Sequence, residues 1–222
     1  MMRQTDQTTL LTQLLSIARQ AGDAIMAVYQ AEKISFQQKV DQSPVTQADL
    51  AAHNILLQQL GLLIPTCPVV SEEDKASQRY RNNKNSFWLI DPLDGTKEFV
   101  AHSDEFTVNI ALIEEGHSIL GVVYAPAIDT FYWGGPDIGA FRTMGLESTP
   151  IRIGVGGVAG VCRVVASKSH LNADTQAFID HLGTVELLQA GSSLKFCRVA
   201  EGRADIYPRL APTCEWDTAA AQ

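Results

Sequence analysis

At 222 residues, with 45% hydrophobic content and a formal net charge of −8, the chain holds enough apolar material for one large domain or two small ones. It carries too little positive charge for a broad surface that grips polymeric nucleic acid. No apolar run approaches the ~20 residues that cross a bilayer, the polar stretch from Met1 to Thr9 shows no secretory signal, and Cys67, Cys162, Cys197 and Cys214 form no CxxC pair, which predicts reduced thiols in a cytoplasmic protein without zinc.

Leu10, Leu11, Leu14, Leu15, Ile17, Ala18, Ala21, Ile25 and Val28 recur at helical spacing, so residues 8–29 read as one amphipathic helix whose stripe is core. A strand over 34–39 follows, then a loop through Ser43-Pro44 and a helix over 46–60, where Thr46 and Asp49 match a capping box. Pro68-Val69-Val70 is a short strand that runs into Ser71-Glu72-Glu73-Asp74. The apolar run Phe87-Trp88-Leu89-Ile90 reads as a buried strand that ends where the acids Asp91 and Asp94 begin. Residues 106–114, 118–124, 130–133 and 140–143 form β-rich runs separated by turn residues, an antiparallel meander that extends the first sheet. Beyond a glycine-rich boundary, Gly154-Val155-Gly156-Gly157, strands over 163–166, 185–188 and 204–207 alternate with helices over 173–182 and 192–200. That alternation predicts a second α/β layer and two halves, 1–153 and 154–222, that act as a single catalytic unit. Asp217 falls at a helix start.

The chemistry concentrates in Asp91-Pro92-Leu93-Asp94-Gly95-Thr96. Two carboxylates with the intervening Leu93 carbonyl suit a hard cation such as Mg2+, which accepts oxygen ligands in near-octahedral geometry. Asp, Pro and Gly are also ordinary turn formers, and that reading stays open at this stage. The acids are three apart with a proline between them, whereas phosphatases that form an aspartyl-phosphate use Asp-x-Asp-Gly-Thr. Period-two geometry does not place acids three apart on one strand face, so a metal-chelating turn fits better than a nucleophile strand. Glu72 to Asp74 and Asp217 sit at other element ends, where a solvated turn and a helix cap are the plain alternatives.

With Ser71-Glu72-Glu73, Trp88-Leu89-Ile90-Asp91-Pro92-Leu93-Asp94-Gly95-Thr96 and Trp216-Asp217-Thr218-Ala219-Ala220, the chain resembles the lithium-sensitive, magnesium-dependent phosphatases of the inositol monophosphatase superfamily. Lys39 to Asp49, Thr96-Lys97-Glu98-Phe99, Glu105 to Ile113 and Gly191-Ser192-Ser193-Leu194-Lys195-Phe196-Cys197 look most like its CysQ-type 3'(2'),5'-bisphosphate nucleotidase branch. The resemblance implies an α/β fold, the αβαβα sugar-phosphatase sandwich. It implies two or three Mg2+ ions, one on Glu72, Asp91 and the Leu93 carbonyl and another on Asp91, Asp94 and Asp217. It also implies catalytic roles for Glu72, Thr96 and Asp49 around a metal-activated water, and substrate contacts from Gly95, Thr96, His170, Gly191, Ser192, Lys195 and Arg209. Arg209 stands where inositol-specific relatives carry a glutamate, and a guanidinium favours an anionic substituent over a polyol.

The reaction so implied converts adenosine 3',5'-bisphosphate to AMP and phosphate, in a cytoplasmic monomer or homodimer linked to sulfate assimilation, free in the cytoplasm or peripheral on the inner face of the membrane. An inositol-phosphate or sugar phosphatase on the same metal site is the alternative, and a truncated, inactive nucleotide- or metal-binding protein is another of a different class. The sequence stops at Gln222, five residues past Asp217, where the family's members continue. The expectation is therefore a marginal helix and a weakly held second cation.

Overall fold

The computed structural model describes residues 4–31, 36–38, 44–82, 86–154, 160–169 and 171–222. Helix α1 (Gln4–Tyr29) is followed by two short antiparallel strands, β1 (Phe36–Gln38) and β2 (Pro44–Thr46), and by helix α2 (Gln47–Leu63). Strand β3 (Val69–Ser71) leads through a 3-10 helix (Lys75–Asn82) into β4 (Ser86–Asp94), beside which it runs parallel. After the short helix α3 (Thr96–Val100) come β5 (Thr107–Glu114), β6 (His117–Ala125), β7 (Thr130–Gly135), β8 (Gly139–Met144) and β9 (Glu147–Pro150), each antiparallel to its predecessor. With β4 and β5 also antiparallel, the sheet has seven strands in sequence order, β3 to β9. The predicted meander is its larger part.

Period-two alternation divides the side chains of this sheet between two cores. Trp88, Ile90, Val108, Ile110, Leu112, Val122 and Tyr124 face the apolar stripes of α1 and α2, including Leu11, Leu14, Ile25, Ala52 and Leu56. Phe87, Leu89, Ala111 and Ile113 face the other way, onto Trp216 and Ala219. Val123, Ala125 and Tyr132, on that same side, meet Leu194 and Cys197 of α5 (Leu194–Ala200). Beyond α5 lies a parallel pair, β10 (Cys162–Ser167) and β11 (Val185–Ala190). Val165 of β10 packs with Val199 of α5, while Val164 and Ala166 pack with Ile179 of α4 (Ala173–Asp180). The layers are therefore α1/α2, the large sheet, α5, the parallel pair and α4, the expected αβαβα sandwich.

Two elements differ from expectation, and two others lie partly outside the described residues. Of the strand over 34–39, only Phe36–Gln38 lies within the described residues, and of the glycine-rich boundary only Gly154 does. The strand over 204–207 is reduced to a bridge between Ile206 and Val164, because the Asp205 carboxylate accepts the Arg163 backbone N–H (2.8 Å) and its guanidinium (2.6 Å) where a ladder would otherwise continue. The helix expected from Asp217 is a single 3-10 turn, Glu215–Asp217. That turn is nevertheless well held. Trp216 is buried, the Arg81 guanidinium pairs with Glu215, and a Cβ on Gly121 would stand 2.1 Å from the Ala220 carbonyl, so glycine is what lets residues 219–221 lie on β6. Among the described residues no helix is long and apolar enough to cross a membrane.

Candidate active site

The acids of β4 reach a common side through an irregularity that their spacing conceals. Asp91 pairs with Asn109 and Asp94 with Thr107, so three steps along β4 match two along β5. One extra residue in a strand is a β-bulge, and it restores parity: acids three apart then face the same way. The strand thus continues through Pro92 to Asp94 rather than ending at Ile90, which corrects the expected chelating turn. Pro92 has no N–H to offer the ladder, and Leu93 N–H donates to Asp91 Oδ1 at 3.1 Å. Gly95 then takes φ 90°, and a Cβ there would press on the Glu105 carbonyl and on Ser192 Cβ at 3.1 and 3.2 Å.

Glu72, which follows β3, Asp91 of β4 and Asp217 of the 3-10 turn each present a carboxylate oxygen within 4.8 Å of the other two. Oxygens of a Mg2+ octahedron lie about 3 Å apart when adjacent and about 4.2 Å apart when opposite, so a contraction of the cluster would put these three on one ion, with its other positions left to further oxygens. An all-carboxylate and carbonyl donor set suits a hard cation and not zinc. The cluster strains its own electrostatics. Burial, then the charges of Glu72, Asp94, Asp217 and Asp49, hold the Asp91 carboxyl far above the usual range. Burial likewise raises Asp94 to about 6, with Lys195 and the Ser193 hydroxyl working against the rise and Asp217 and Glu72 adding to it. A divalent cation would remove that repulsion directly.

Around the acids opens a cleft of about 1390 Å³, lined from the first half by Glu72, Asp91, Leu93, Asp94, Gly95, Thr96 and Glu98, and from the second by Ser192, Lys195, Tyr207, Arg209 and Asp217. Asp217 Oδ2 accepts from Thr213 Oγ1 (2.8 Å) and Cys214 N–H (3.1 Å). Asp49 divides its oxygens: Oδ2 caps α2 through Thr46 N–H (2.7 Å) and Thr46 Oγ1 (2.6 Å), while Oδ1 accepts from Thr96 Oγ1 at 3.3 Å. The Thr96 hydroxyl is shared with the Leu93 carbonyl at 3.2 Å.

The predicted substrate residues divide. Lys195 is buried, its Nζ donates to the Ser192 carbonyl and stands 5.6 Å from the Tyr207 ring, and burial lowers its pKa against the pull of Asp94 and Glu98. Ser192 lines the cleft at φ 44°, a conformation disfavoured for a side chain with a Cβ and found most often at functional positions. Arg209 lines the cleft and donates through Nη2 to the Pro212 carbonyl (3.0 Å), and its buried Nε meets no acceptor among the described residues. The Gly191 N–H is engaged by Glu105 Oε2 at 3.0 Å, so that glycine serves a close backbone approach; a Cβ would lie 2.8 Å from the Glu105 carbonyl. His170 lies outside the described residues.

Thr107, Asn109 and Ser193 enter the sequence reading above only as members of longer segments. Ser193 Oγ donates to Asp94 Oδ2 at 2.7 Å and accepts from Asn109 Nδ2 at 2.6 Å, and Thr107 Oγ1 donates to Asn109 Oδ1 at 3.1 Å. The available signal was polar residues at alternate positions of an otherwise apolar strand, Thr107-Val108-Asn109-Ile110, which a core tolerates only when they are bonded. Glu98 and Glu105 also bridge the halves, Glu98 accepting from Ser169 Oγ (2.5 Å) and Glu105 pairing with Lys168 Nζ (2.6 Å).

The chain is similar to known proteins over nearly its whole length. The model of the inositol monophosphatase family matches residues 6–222. The chain is 46% identical over 213 residues to the 3'(2'),5'-bisphosphate nucleotidase CysQ of Salmonella typhimurium, and equally to that of Escherichia coli K12, in each case covering 95% of this chain and 85% of the relative. Among solved structures, CysQ from Bacteroides thetaiotaomicron, a bacterial member of the inositol monophosphatase family, aligns with a TM-score of 0.84 at 37% identity over 97% of this chain and 84% of that one.

Proposed function

This chain belongs to the inositol monophosphatase family, and from that premise we propose that it is a Mg2+-dependent phosphatase that hydrolyses the 3'-phosphate of adenosine 3',5'-bisphosphate to AMP and phosphate. The observation that carries the reading is the convergence of Glu72, Asp91 and Asp217, joined by Asp94, on a cleft that also presents Lys195 and Arg209. Similarity to nucleotidases at 46% identity supports the substrate, and the carboxylate-rich donor set supports the metal.

Glu72, Asp91, Asp94, Asp217 and the Leu93 carbonyl would hold two or three ions. Bound Mg2+ would neutralise the phosphoryl oxygens, acidify the attacking water and stabilise the departing oxygen. The protein's own groups do the rest. Asp49 and the Leu93 carbonyl compete for the single Thr96 hydroxyl proton, so the Thr96 oxygen is left as an acceptor that can orient a water. Glu72 would take that water's proton. The water oxygen would bond to phosphorus opposite the ribose oxygen as the P–O bond to ribose breaks, and the ribose oxygen would leave as an alcohol, taking its proton from solvent while Glu72 returns the one it removed to solvent. No protein nucleophile is needed.

Gly95 lines the cleft beside Thr96, while Ser192, Lys195 and Arg209 would receive the second phosphate. A guanidinium donor there favours a bisphosphate over a polyol. The halves 1–153 and 154–222 act as one catalytic unit, because the cleft draws on both. The four free cysteines fit a reducing cytoplasm.

Phosphate release from adenosine 3',5'-bisphosphate, inositol monophosphate and fructose 1,6-bisphosphate, each with and without Mg2+, tests the assignment. The bisphosphate nucleotide should be turned over fastest, and only with metal. Preference for inositol monophosphate would replace the nucleotidase by the sugar-phosphatase reading, and nucleotide binding without release at saturating Mg2+ would remove the enzymatic one.

A further inference from the structure

Asn109 occupies the strand next to Asp91 and is 1% exposed, yet its hydrogen bond to the cluster, Nδ2 to Asp94 Oδ2, is long at 3.5 Å. Its shorter bonds run elsewhere, through Oδ1 to Thr107 Oγ1 at 3.1 Å and through Nδ2 to Ser193 Oγ at 2.6 Å. The orientation of this amide is forced. Turning it over would set Oδ1 against Asp94 Oδ2, two acceptors face to face, and would draw the Ser193 hydroxyl away from Asp94.

With the amide fixed, the protons of the whole network follow. Thr107 O–H goes to Asn109, Asn109 N–H to Ser193, and Ser193 O–H to Asp94 Oδ2 at 2.7 Å, a carboxylate oxygen that is nearer than Thr107 Oγ1. Thr107 Oγ1 also lies 3.2 Å from Ser193 Oγ, which keeps the two hydroxyls in one group. Thr107, Asn109 and Ser193 are each no more than 1% exposed, so bulk water does not compete for these bonds. Aligned hydrogen bonds polarise one another, and the last donor in such a chain is stronger than an isolated hydroxyl.

We propose that Asn109 is a positioning residue for the metal site: it sets the direction of the chain Thr107→Asn109→Ser193→Asp94, which ties up Asp94 Oδ2 and leaves Oδ1 as the oxygen offered to a cation. The proposal rests on the metal-dependent reading above. Ser193 belongs to the second half and Asp94 to the first, so the same chain locks the two together at the carboxylates. Oriented outer partners of metal ligands are typically worth 10- to 100-fold in affinity.

The experiment is calorimetric titration of Mg2+, with Mn2+ binding followed by electron paramagnetic resonance, on the full chain and on Asn109→Asp, Asn109→Ala, Ser193→Ala and the Asn109→Ala/Ser193→Ala double variant. Asn109→Asp keeps the shape but supplies an acceptor where Ser193 needs a donor, so it draws the hydroxyl away from Asp94. Cation affinity at one site should fall about 10-fold or more. Ser193→Ala should do the same, and it is the smaller change should Asn109→Asp fail to fold. In the double variant, Asn109→Ala should add nothing to the loss from Ser193→Ala, because the amide acts through the hydroxyl. Additive losses, or unchanged affinity in Ser193→Ala, overturn the proposal while the nucleotidase reading stands. Absence of any divalent-cation binding to the parent chain would instead sink the metal reading itself.

Discussion

The carboxylate cluster should make the metal-free protein less stable at neutral pH than a variant that lacks one of its charges. Asp94 is the tractable case. Its carboxyl is raised from the ordinary 3.8 to about 6 in the folded chain, chiefly by burial. A folded value above the unfolded one means that the favourable contribution is complete below 3.8 and is lost as pH rises through about 6. Above that, folding must accept a charge that the site disfavours. The full shift corresponds to about 3 kcal/mol, and because the carboxylate borders an open cleft about half of that, ~1.5 kcal/mol, is the realistic expectation.

Asp94→Asn keeps an acceptor for Ser193 and removes the charge. Urea denaturation after treatment with a chelator should find Asp94→Asn more stable than the parent by ~1–2 kcal/mol near about pH 7.5 and equal to it near about pH 4. Saturating Mg2+ should reverse the order, because a ligand at about 100 times its dissociation constant adds ~2.7 kcal/mol to the protein that binds it. Activity of Asp94→Asn should be close to nil. A metal-free Asp94→Asn that is less stable than the parent at neutral pH would refute the electrostatic argument, and so would a difference that does not change with pH.

Two further outcomes follow from packing. Trp216→Ala empties a site among Val70, Phe87, Leu89, Ala111 and Ile113, and should cost ~3–4 kcal/mol in urea denaturation while weakening Mg2+ binding, because the neighbouring Asp217 is placed by that ring; unchanged Mg2+ affinity would separate Asp217 from its anchor. Glu201→Gln strips the charge from a carboxylate whose side chain is 3% exposed and which accepts from Arg142, Arg198 and the Tyr132 hydroxyl. The uncompensated guanidinium groups should cost ~3 kcal/mol in thermal or urea unfolding, with Mg2+ affinity unaltered, since this node joins α5 to β8 away from the cleft.

The fold was legible because its elements carry strong periodic signals. The α1 stripe and the alternation through Thr107–Glu114 each specify a face, and each face found a partner layer. The acids were legible as a set but not in their geometry. A bulge leaves no pattern in a sequence that already contains proline and two aspartates, so Asp91-Pro92-Leu93-Asp94 looked like a turn after a strand and is the strand itself. The region 204–207 misled for a comparable reason: Ala204, Ile206 and Tyr207 have strand propensity, but the Asp205 side chain takes the Arg163 N–H that a ladder would use. Asn109 and Thr107 looked like interruptions of an apolar run, and only the approach of Ser193, 84 residues from Asn109, gives them a partner.

That long-range approach explains why the site is built from both halves. Asp91 and Asp94 of β4 and Glu72 at the end of β3 repel one another across the sheet. The second half supplies the Lys195 ammonium and the Ser193 hydroxyl, both of which favour the charged form of Asp94, and it also supplies Asp217, which opposes it. Docking of the two halves therefore brings a counter-charge and a further repulsion together, and a cation is the one addition that turns the repulsive part into attraction. Cation binding and closure of the 1–153 half against the 154–222 half should then be linked in free energy: protection of the Ser193 and Leu194 amides from hydrogen exchange should rise with Mg2+, and in Asp91→Asn, which lacks the central carboxylate, the metal should leave that protection unchanged.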